Sequence, residues 1–194
     1  MREISILSFI SIDGVAQGPT QPGEDPSGGF EHSGWMAEYF DDAMKLVNGE
    51  LMEAPISFLF GRKTYEMFMP HWSSAPKSAH AELLNNAPKL VVSNSLKEPG
   101  WTNSQLISGD VVASLRAISK QDGPRLQVHG SIELIQTLLA HDLIGELRLL
   151  TFPVVVGTGR KLFADTTPLS SFKLTRSNVT DMGITMNIYR RETL

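Results

Sequence analysis

The stretch Pro55-Ile56-Ser57-Phe58-Leu59-Phe60-Gly61-Arg62-Lys63-Thr64-Tyr65-Glu66 decides the fold. Ile56 to Phe60 is short, rich in β-branched and aromatic residues and not clearly alternating, the pattern of a strand buried on both faces. Gly61 then permits a sharp turn into a helix. The first N–H groups of a helix have no partners within it and carry partial positive charge, so they attract anions. Arg62 and Lys63 add full charge there, and the Thr64 hydroxyl adds a donor. The stretch reads as a phosphate cradle for a nucleotide. Its competitor is an ordinary surface helix start that happens to be basic, and the rest of the chain has to choose.

At 194 residues the chain is long enough to bury a substantial core, and one domain over residues 1–194 is expected. A net charge of −4 without a basic tract argues against nucleic acid as a partner, because that binding needs many phosphate-neutralising contacts. The absence of cysteine excludes disulfides, thiolate metal ligands and cysteine nucleophiles, and fits a reducing compartment. The segment from Met1 to Ser8 lacks the apolar core of a signal peptide. No apolar run approaches the roughly 18 residues of a membrane-spanning helix. A soluble cytoplasmic protein is expected, with no membrane contact. His32, His71, His80, His129 and His141 show no paired ligand spacing, so no metal is expected.

Working outward from the opening stretch, Ile4 to Ile12 alternates as a first strand and ends at Ser11-Ile12-Asp13-Gly14, where Gly14 can turn and Asp13 can bond nearby backbone. Gln17 to Gly29 holds three prolines and four glycines and excludes a regular element. Loops of that length inside a compact domain are functional or disordered, so it reads as a lid or as a tolerated surface insertion. Trp35 to Leu51 carries one helical apolar stripe, with Glu38, Asp41 and Asp42 on its polar face. A helix follows Gly61 as far as Met69 and breaks at Pro70, and Pro76 to Asn86 reads as another short helix. Lys89 to Val92 is a second buried strand, ending in Ser93-Asn94-Ser95, hydroxyl and amide groups suited to ribose or phosphate. Asp110 reads as the N-cap of a helix. Arg125 to Val128 is a strand, and His129-Gly130-Ser131 forms a second strand–glycine–helix junction with Ser131 as N-cap.

Leu143 to Val156 feeds one long strand, Gly157-Thr158-Gly159 turns, and Leu162-Phe163 packs beyond. The tail, Phe172 to Val179 and Ile184 to Arg190, reads as a hairpin turning at Asp181-Met182-Gly183. Strands alternating with helices, closed by an antiparallel hairpin, define a three-layer α/β/α architecture with a mixed, mostly parallel sheet. Three strand ends carry anion- or ribose-friendly groups, and ligands of open α/β sheets sit at such ends. The Gly157-Thr158-Gly159 run lacks the third glycine of a dinucleotide fingerprint, and neither a P-loop nor a Gly-x-Ser-x-Gly elbow occurs.

Taken as a set, Ser11-Ile12-Asp13-Gly14, Gly61-Arg62-Lys63-Thr64-Tyr65-Glu66, Val91-Val92-Ser93-Asn94, His129-Gly130-Ser131, Leu143 to Leu149 and Pro153 to Gly159 with Leu162-Phe163 resemble the dihydrofolate-reductase-like superfamily. More closely they resemble its branch formed by the C-terminal reductase domain of the riboflavin-biosynthesis deaminase/reductase and its stand-alone relatives. The resemblance covers nearly the whole chain. It implies NADPH, with Gly61, Arg62, Lys63 and Thr64 at the phosphates and Ser93, Asn94 and Ser95 near the adenosine ribose and its 2′-phosphate. His129, Gly130 and Ser131 are implied at the pyrophosphate turn, where the superfamily often has two glycines. Ser11, Asp13, Gly14 and Val15 are implied at the nicotinamide side, with residues 18–34 as a flexible lid.

The implied reaction is hydride transfer from NADPH to a carbonyl or imine of a small polar substrate. That substrate is pterin-, pyrimidine- or ribosylaminopyrimidine-like, as for 5-amino-6-(5-phosphoribosylamino)uracil reductase or dihydrofolate reductase. Asp13 is the candidate catalytic or orienting acid, against the alternative that it caps its turn. The folate enzymes use an acid on the first helix, where Glu38, Asp41 and Asp42 are available. The family resemblance also implies a homodimer. Two other classes remain open: a dinucleotide-binding module without catalysis, and an interaction protein docking a partner through a sheet edge or the Pro/Gly-rich loop.

Overall fold

The computed structural model describes residues 2–51 and 54–192. Its strands are β1 (Ile4–Ser11), β2 (Ile56–Gly61), β3 (Lys89–Val92), β4 (Ser104–Ile107), β5 (Arg125–His129), β6 (Glu146–Phe152), β7 (Phe172–Val179) and β8 (Thr185–Arg191). Its α-helices are α1 (Phe40–Leu51), α2 (Arg62–Ser74), α3 (Ala79–Asn86), α4 (Val111–Ser119) and α5 (Ile132–Ala140). The strands form one sheet in the order β4-β3-β2-β5-β1-β6-β8-β7. Pairing is parallel from β4 through β6, and β8 and β7 add antiparallel.

Two apolar clusters coat the two faces of this sheet. On one, α4 and α5 set Leu115, Ile135, Leu138 and Leu139 against Ile4, Ile6, Leu126 and Val128. On the other, α1, α2 and α3 set Ala43, Val47, Tyr65 and Leu84 against Leu7, Phe58, Phe60 and Phe152. The three-layer reading therefore holds. Every residue of β2 is buried, as its unbroken apolar run requires of an inner strand covered on both faces. β1, whose alternation suggested one buried face, is buried on both because Ile4, Ile6 and Ile10 pack into one apolar cluster and Leu7 and Phe9 into the other.

Five features differ from the sequence reading. β4 was absent from it, since Ser104-Gln105-Leu106-Ile107 has only two apolar residues; pairing with β3 makes it a strand. α2 runs through Pro70 to Ser74, because the lost amide bond falls within its last turns and the Ser74 hydroxyl donates back to the Pro70 carbonyl at 2.7 Å. The segment before α1 is a 3-10 turn over Ala37–Tyr39, so only the later part of the Trp35 to Leu51 stripe is α-helix. Phe163 is exposed beside the fully buried Leu162. The hairpin is present, but β8 lies inside the sheet and alternates, whereas β7 is the edge and is mostly exposed.

The chain starts at β1, builds outward through β2 to β4, then returns to place β5 between β2 and β1. Where strand order reverses, the loops leaving neighbouring strands separate and open a crevice at their carboxyl ends.

Candidate functional site

That crevice is a cleft of about 710 Å³, within the roughly 300–1,000 Å³ of small-molecule sites. Gly61, Arg62, Lys63 and Thr64 line it after β2, Ser93, Asn94 and Ser95 after β3, and His129, Gly130 and Ser131 after β5. The sheet makes β3, β2 and β5 adjacent, so residues far apart in the chain share one rim.

The two helix-starting junctions touch. Thr64 Oγ1 and Ser131 Oγ are 3.0 Å apart and hydrogen-bonded. Gly61 has an ordinary φ of −78°, so its expected role as a conformational hinge gives way to another one. A Cβ at Gly61 would lie 2.5 Å from the Ser131 Cβ and closer still to its hydroxyl; glycine is there to admit the neighbouring junction. Gly130, in contrast, takes φ 77° and is followed by Ser131 at φ 59°, two successive positive-φ residues on the cleft wall, the first of which favours glycine.

Ser131 occupies the N-cap position of α5, but its hydroxyl makes no capping bond there, because it is committed to Thr64. Gly61 likewise gives α2 no side-chain cap. The helices away from this junction behave differently: Ser78 caps α3 and Asp110 caps α4, each accepting from a first-turn amide. α2 and α5 therefore present uncapped first-turn donors toward one shared space, with Arg62 and Lys63 beside it.

The remaining predicted residues separate into two groups. The Ser93 hydroxyl accepts from the amides of Ser95 (3.1 Å) and Leu96 (2.9 Å), and Asn94 Oδ1 accepts from the Gly109 amide at 2.8 Å. These bonds shape the rim and leave the Asn94 amide nitrogen free to donate. His129 lines the cleft, yet its ring packs edge-on against Phe58 and Phe68 and its Nε2 is buried without a partner. Burial, with lesser contributions from His80 and Arg125, pushes its pKa down to about 3, so it brings no positive charge to a phosphate.

Ser11, Asp13, Gly14 and Val15 are not on the cleft wall; Ala16 and Gln17 take that place. The Ser11 hydroxyl donates to Asp13 (2.7 Å) and accepts from the Val15 amide (2.9 Å). Asp13 also accepts from the amides of Val156 (3.1 Å) and Gly157 (2.8 Å), tying the turn after β1 to the loop after β6. The Ser11 hydroxyl first, then these amides, hold its pKa down at about 2. Asp13 is thus a carboxylate at neutral pH and fits the turn-capping alternative, not the role of a proton donor. Glu38, Asp41 and Asp42 also stay off the cleft wall, and Asp42 pairs with Lys45 at 2.7 Å. The buried acid of α1 is Glu50, bonded to Arg148 and Arg176.

The Pro/Gly-rich segment is tied down. Gln17 Nε2 donates to the carbonyls of Asp25 (3.1 Å) and Ser27 (2.9 Å), and the Trp35 indole donates to the Gln17 carbonyl at 2.9 Å. Gly18, Pro19, Thr20, Glu24 and Asp25 face the cleft. Arg160 closes the wall: its guanidinium bonds Asp25 and, at 3.2 Å, Glu133 on α5. Its backbone N–H donates to Gln17 Oε1 at 2.9 Å. Gln17, Glu24, Asp25, Glu133 and Arg160 escaped the sequence reading as cleft residues, since only the fold brings the loop, α5 and Arg160 to one wall.

A cleft at the switch point of a mostly parallel sheet, rimmed by two helix N-termini without side-chain caps, is the anion-binding arrangement of an open α/β protein. The chain matches the RibD C-terminal domain family over residues 2–186 and belongs to it. YyaP of Bacillus subtilis (strain 168), described as uncharacterized, is 24% identical over 139 residues, covering 69% of this chain and 72% of that protein. The fold is shared with the "Putative riboflavin biosynthesis protein" of Shewanella sp. PV-4 (TM-score 0.64, 21% identity, 99% of this chain and 100% of that one). It is also shared with dihydrofolate reductase from Enterococcus faecalis complexed with NADP(H) (TM-score 0.62, 13% identity, 98% and 97%). A pyrimidine reductase-like protein from Corynebacterium diphtheriae aligns as well (TM-score 0.65, 11% identity, 99% and 92%).

Proposed function

We propose that the chain is an NADPH-dependent oxidoreductase acting on a carbonyl or imine carbon of a small polar, pterin- or pyrimidine-like substrate. One observation carries this reading: the uncapped N-termini of α2 and α5, locked together by the Thr64–Ser131 bond at 3.0 Å beside Arg62 and Lys63. Two convergent sets of unpaired amides and two cations suit a ligand with several phosphates, which a dinucleotide carrying a 2′-phosphate provides. The Enterococcus faecalis enzyme of the same fold holds NADP(H), which supports the choice of cofactor.

The residues fit such a ligand. Gly130 leaves the turn after β5 open, the first-turn amides of α2 and α5 would donate to a pyrophosphate, and the Asn94 amide nitrogen and Ser95 hydroxyl would meet the ribose end. When bound, the cofactor supplies the hydride. The chain orients the acceptor, and the tied loop over residues 17–25 limits water on the reacting face. Asp13 is ionised and off the wall, so it does not supply the proton that completes the reduction.

Thermal unfolding with NADPH, and with NADH as the control, tests the reading. At 100 times its Kd a ligand adds about 2.7 kcal/mol, or roughly 5–10 °C for a domain of this size. A shift with NADPH and a smaller one with NADH is expected. No shift with either overturns the cofactor assignment.

A further inference from the structure

Resting on that reading, we infer that His129 holds the reducible group of the substrate: its Nδ1–H donates to the carbonyl oxygen or imine nitrogen, and Gln127 behind it keeps the proton on that nitrogen. The two side chains share one face of β5. Leu126 and Val128 pack toward α4 and α5, so the alternation of the strand turns Gln127 and His129 to the α1–α3 side. Phe58 marks their common place, standing in register with Gln127 and meeting the His129 ring edge-on at 5.3 Å.

The cleft has an apolar arm on that side. Leu7 and Phe9 of β1 and Phe68 of α2 line it and belong to the cluster of the α1–α3 face, and His129, in register with Leu7, completes it. With the cofactor phosphates at the Thr64–Ser131 junction, this arm is the room left for the organic end of the ligands. Of these four side chains only the imidazole can form a hydrogen bond.

Gln127 is 0% exposed, and neither its Nε2 nor its Oε1 has a hydrogen-bond partner among the described residues; the same holds for His129 Nε2. Buried polar groups are nearly always paired, so two such side chains in one row require an explanation. An orphaned buried N–H is rarer than an orphaned carbonyl, and the pairing that relieves it joins a Gln127 N–H to the lone pair of His129 Nε2. The residues are about 7 Å apart along the strand, a span that a turn of the Gln127 side chain or one water closes. With Nε2 accepting, the proton of the neutral ring sits on Nδ1. Nδ1 makes no hydrogen bond among the described residues, and His129 is partly exposed where it lines the cleft. Burial holds the ring uncharged, so it offers a single N–H and no attraction for a phosphate. A neutral imidazole N–H in an apolar wall orients and polarises a carbonyl or imine.

The test is ¹⁵N NMR of the imidazole rings in the protein saturated with NADP⁺, with 6-methyl-7,8-dihydropterin, which carries a reducible imine, as the probe. The His129 ring is expected in the Nδ1–H form, and Gln127→Leu should return it to the Nε2–H form that imidazole side chains favour in water. Adding the probe should shift the Nδ1 resonance. By calorimetry on the NADP⁺ complexes, His129→Phe should weaken the probe about tenfold, whereas His129→Asn, which places an amide N–H where Nδ1 stood, should keep it within about threefold. A purely structural ring predicts the reverse order, since phenylalanine fills the apolar site and asparagine does not. An Nε2–H ring in the parent, a tautomer that Gln127→Leu leaves unchanged, an Nδ1 resonance that the probe leaves unmoved, or equal loss in the two His129 variants overturns the inference and leaves the cofactor reading standing. Failure of NADP⁺ itself to bind overturns both. The tautomer and its response to the probe are read on the unmodified protein, so they stand whether or not a variant folds.

Discussion

Replacing Gly61 by alanine tests the contact between the two junctions most directly. The added methyl would fall 2.5 Å from the Ser131 Cβ, where ordinary contact begins near 3.4 Å. That Cβ is fixed to backbone already held at φ 59°, so no rotamer change clears it. Either the start of α2 or the start of α5 must move by the better part of an ångström. Overpacking of this kind costs about 1–3 kcal/mol, or roughly 2–12 °C in Tm for a chain of this length. The displacement would also spread the two sets of helix N–H groups, so NADPH affinity should fall more steeply than stability. The assay is a double-mutant cycle over Gly61→Ala and Ser131→Gly, reading Tm and NADPH Kd in each. Ser131→Gly removes the clash and relaxes the left-handed residue, at the loss of the Thr64 bond. The double variant should therefore regain most of what Gly61→Ala loses. A Gly61→Ala protein as stable as the parent, or one that Ser131→Gly fails to rescue, refutes the contact.

Arg62→Ala removes a half-exposed guanidinium and should weaken NADPH by about 1.5 kcal/mol, near tenfold in Kd, by fluorescence titration. Unchanged affinity in both Arg62→Ala and Thr64→Ala sinks the phosphate cradle. His129 is held neutral in the fold with its pKa near 3, while the unfolded chain protonates near 6.5. Stability should be flat above that value and fall as pH drops from 6.5 toward 3, by about 1.4 kcal/mol per unit for this one group. His80, its pKa also lowered by burial, contributes to the same slope, so denaturant titrations of the parent and His129→Phe at pH 7 and 5 isolate the His129 share. Asp13 has the depressed carboxylate pKa of about 2; its contribution is complete above about 3.8 and lost as pH falls from there to 2. Asp13→Asn should flatten that acid limb and cost less than about 1 kcal/mol, as suits an exposed group. NADPH affinity should stay within about twofold, and a larger loss would return Asp13 to the cleft.

What the residues disclosed before folding was mostly local. A run such as Ile56 to Phe60 followed by Gly61 and a polar helix start needs only neighbouring residues to be read, and the same holds for Val128 to Ser131. The purpose of Gly61 was not local: the atom it avoids belongs to residue 131, so its glycine looked like a hinge when it is a clearance. Ser131 was misjudged as a cap for the same reason, its hydroxyl being drawn away by Thr64. The acidic loop wall was invisible because Asp25 and Glu133 meet only at Arg160. Edge strand β4 has too few apolar residues to show a period, and becomes a strand only through hydrogen bonds that β3 offers.

The position of β5 has a consequence for how the protein is made. β1 and β2 follow each other in sequence but are not neighbours; the strand between them ends at His129. A ribosome working at roughly 5–20 residues per second leaves the facing edges of β1 and β2 open for on the order of seconds before β5 can enter. During that interval Ile6, Leu7, Phe58 and Leu59 present unpaired backbone beside apolar side chains, the combination that recruits other chains. β6 closes the far side of β1 later still. Nascent chains halted before residue 125 should therefore be held by chaperones or aggregate, whereas chains released beyond β6 can complete the central sheet.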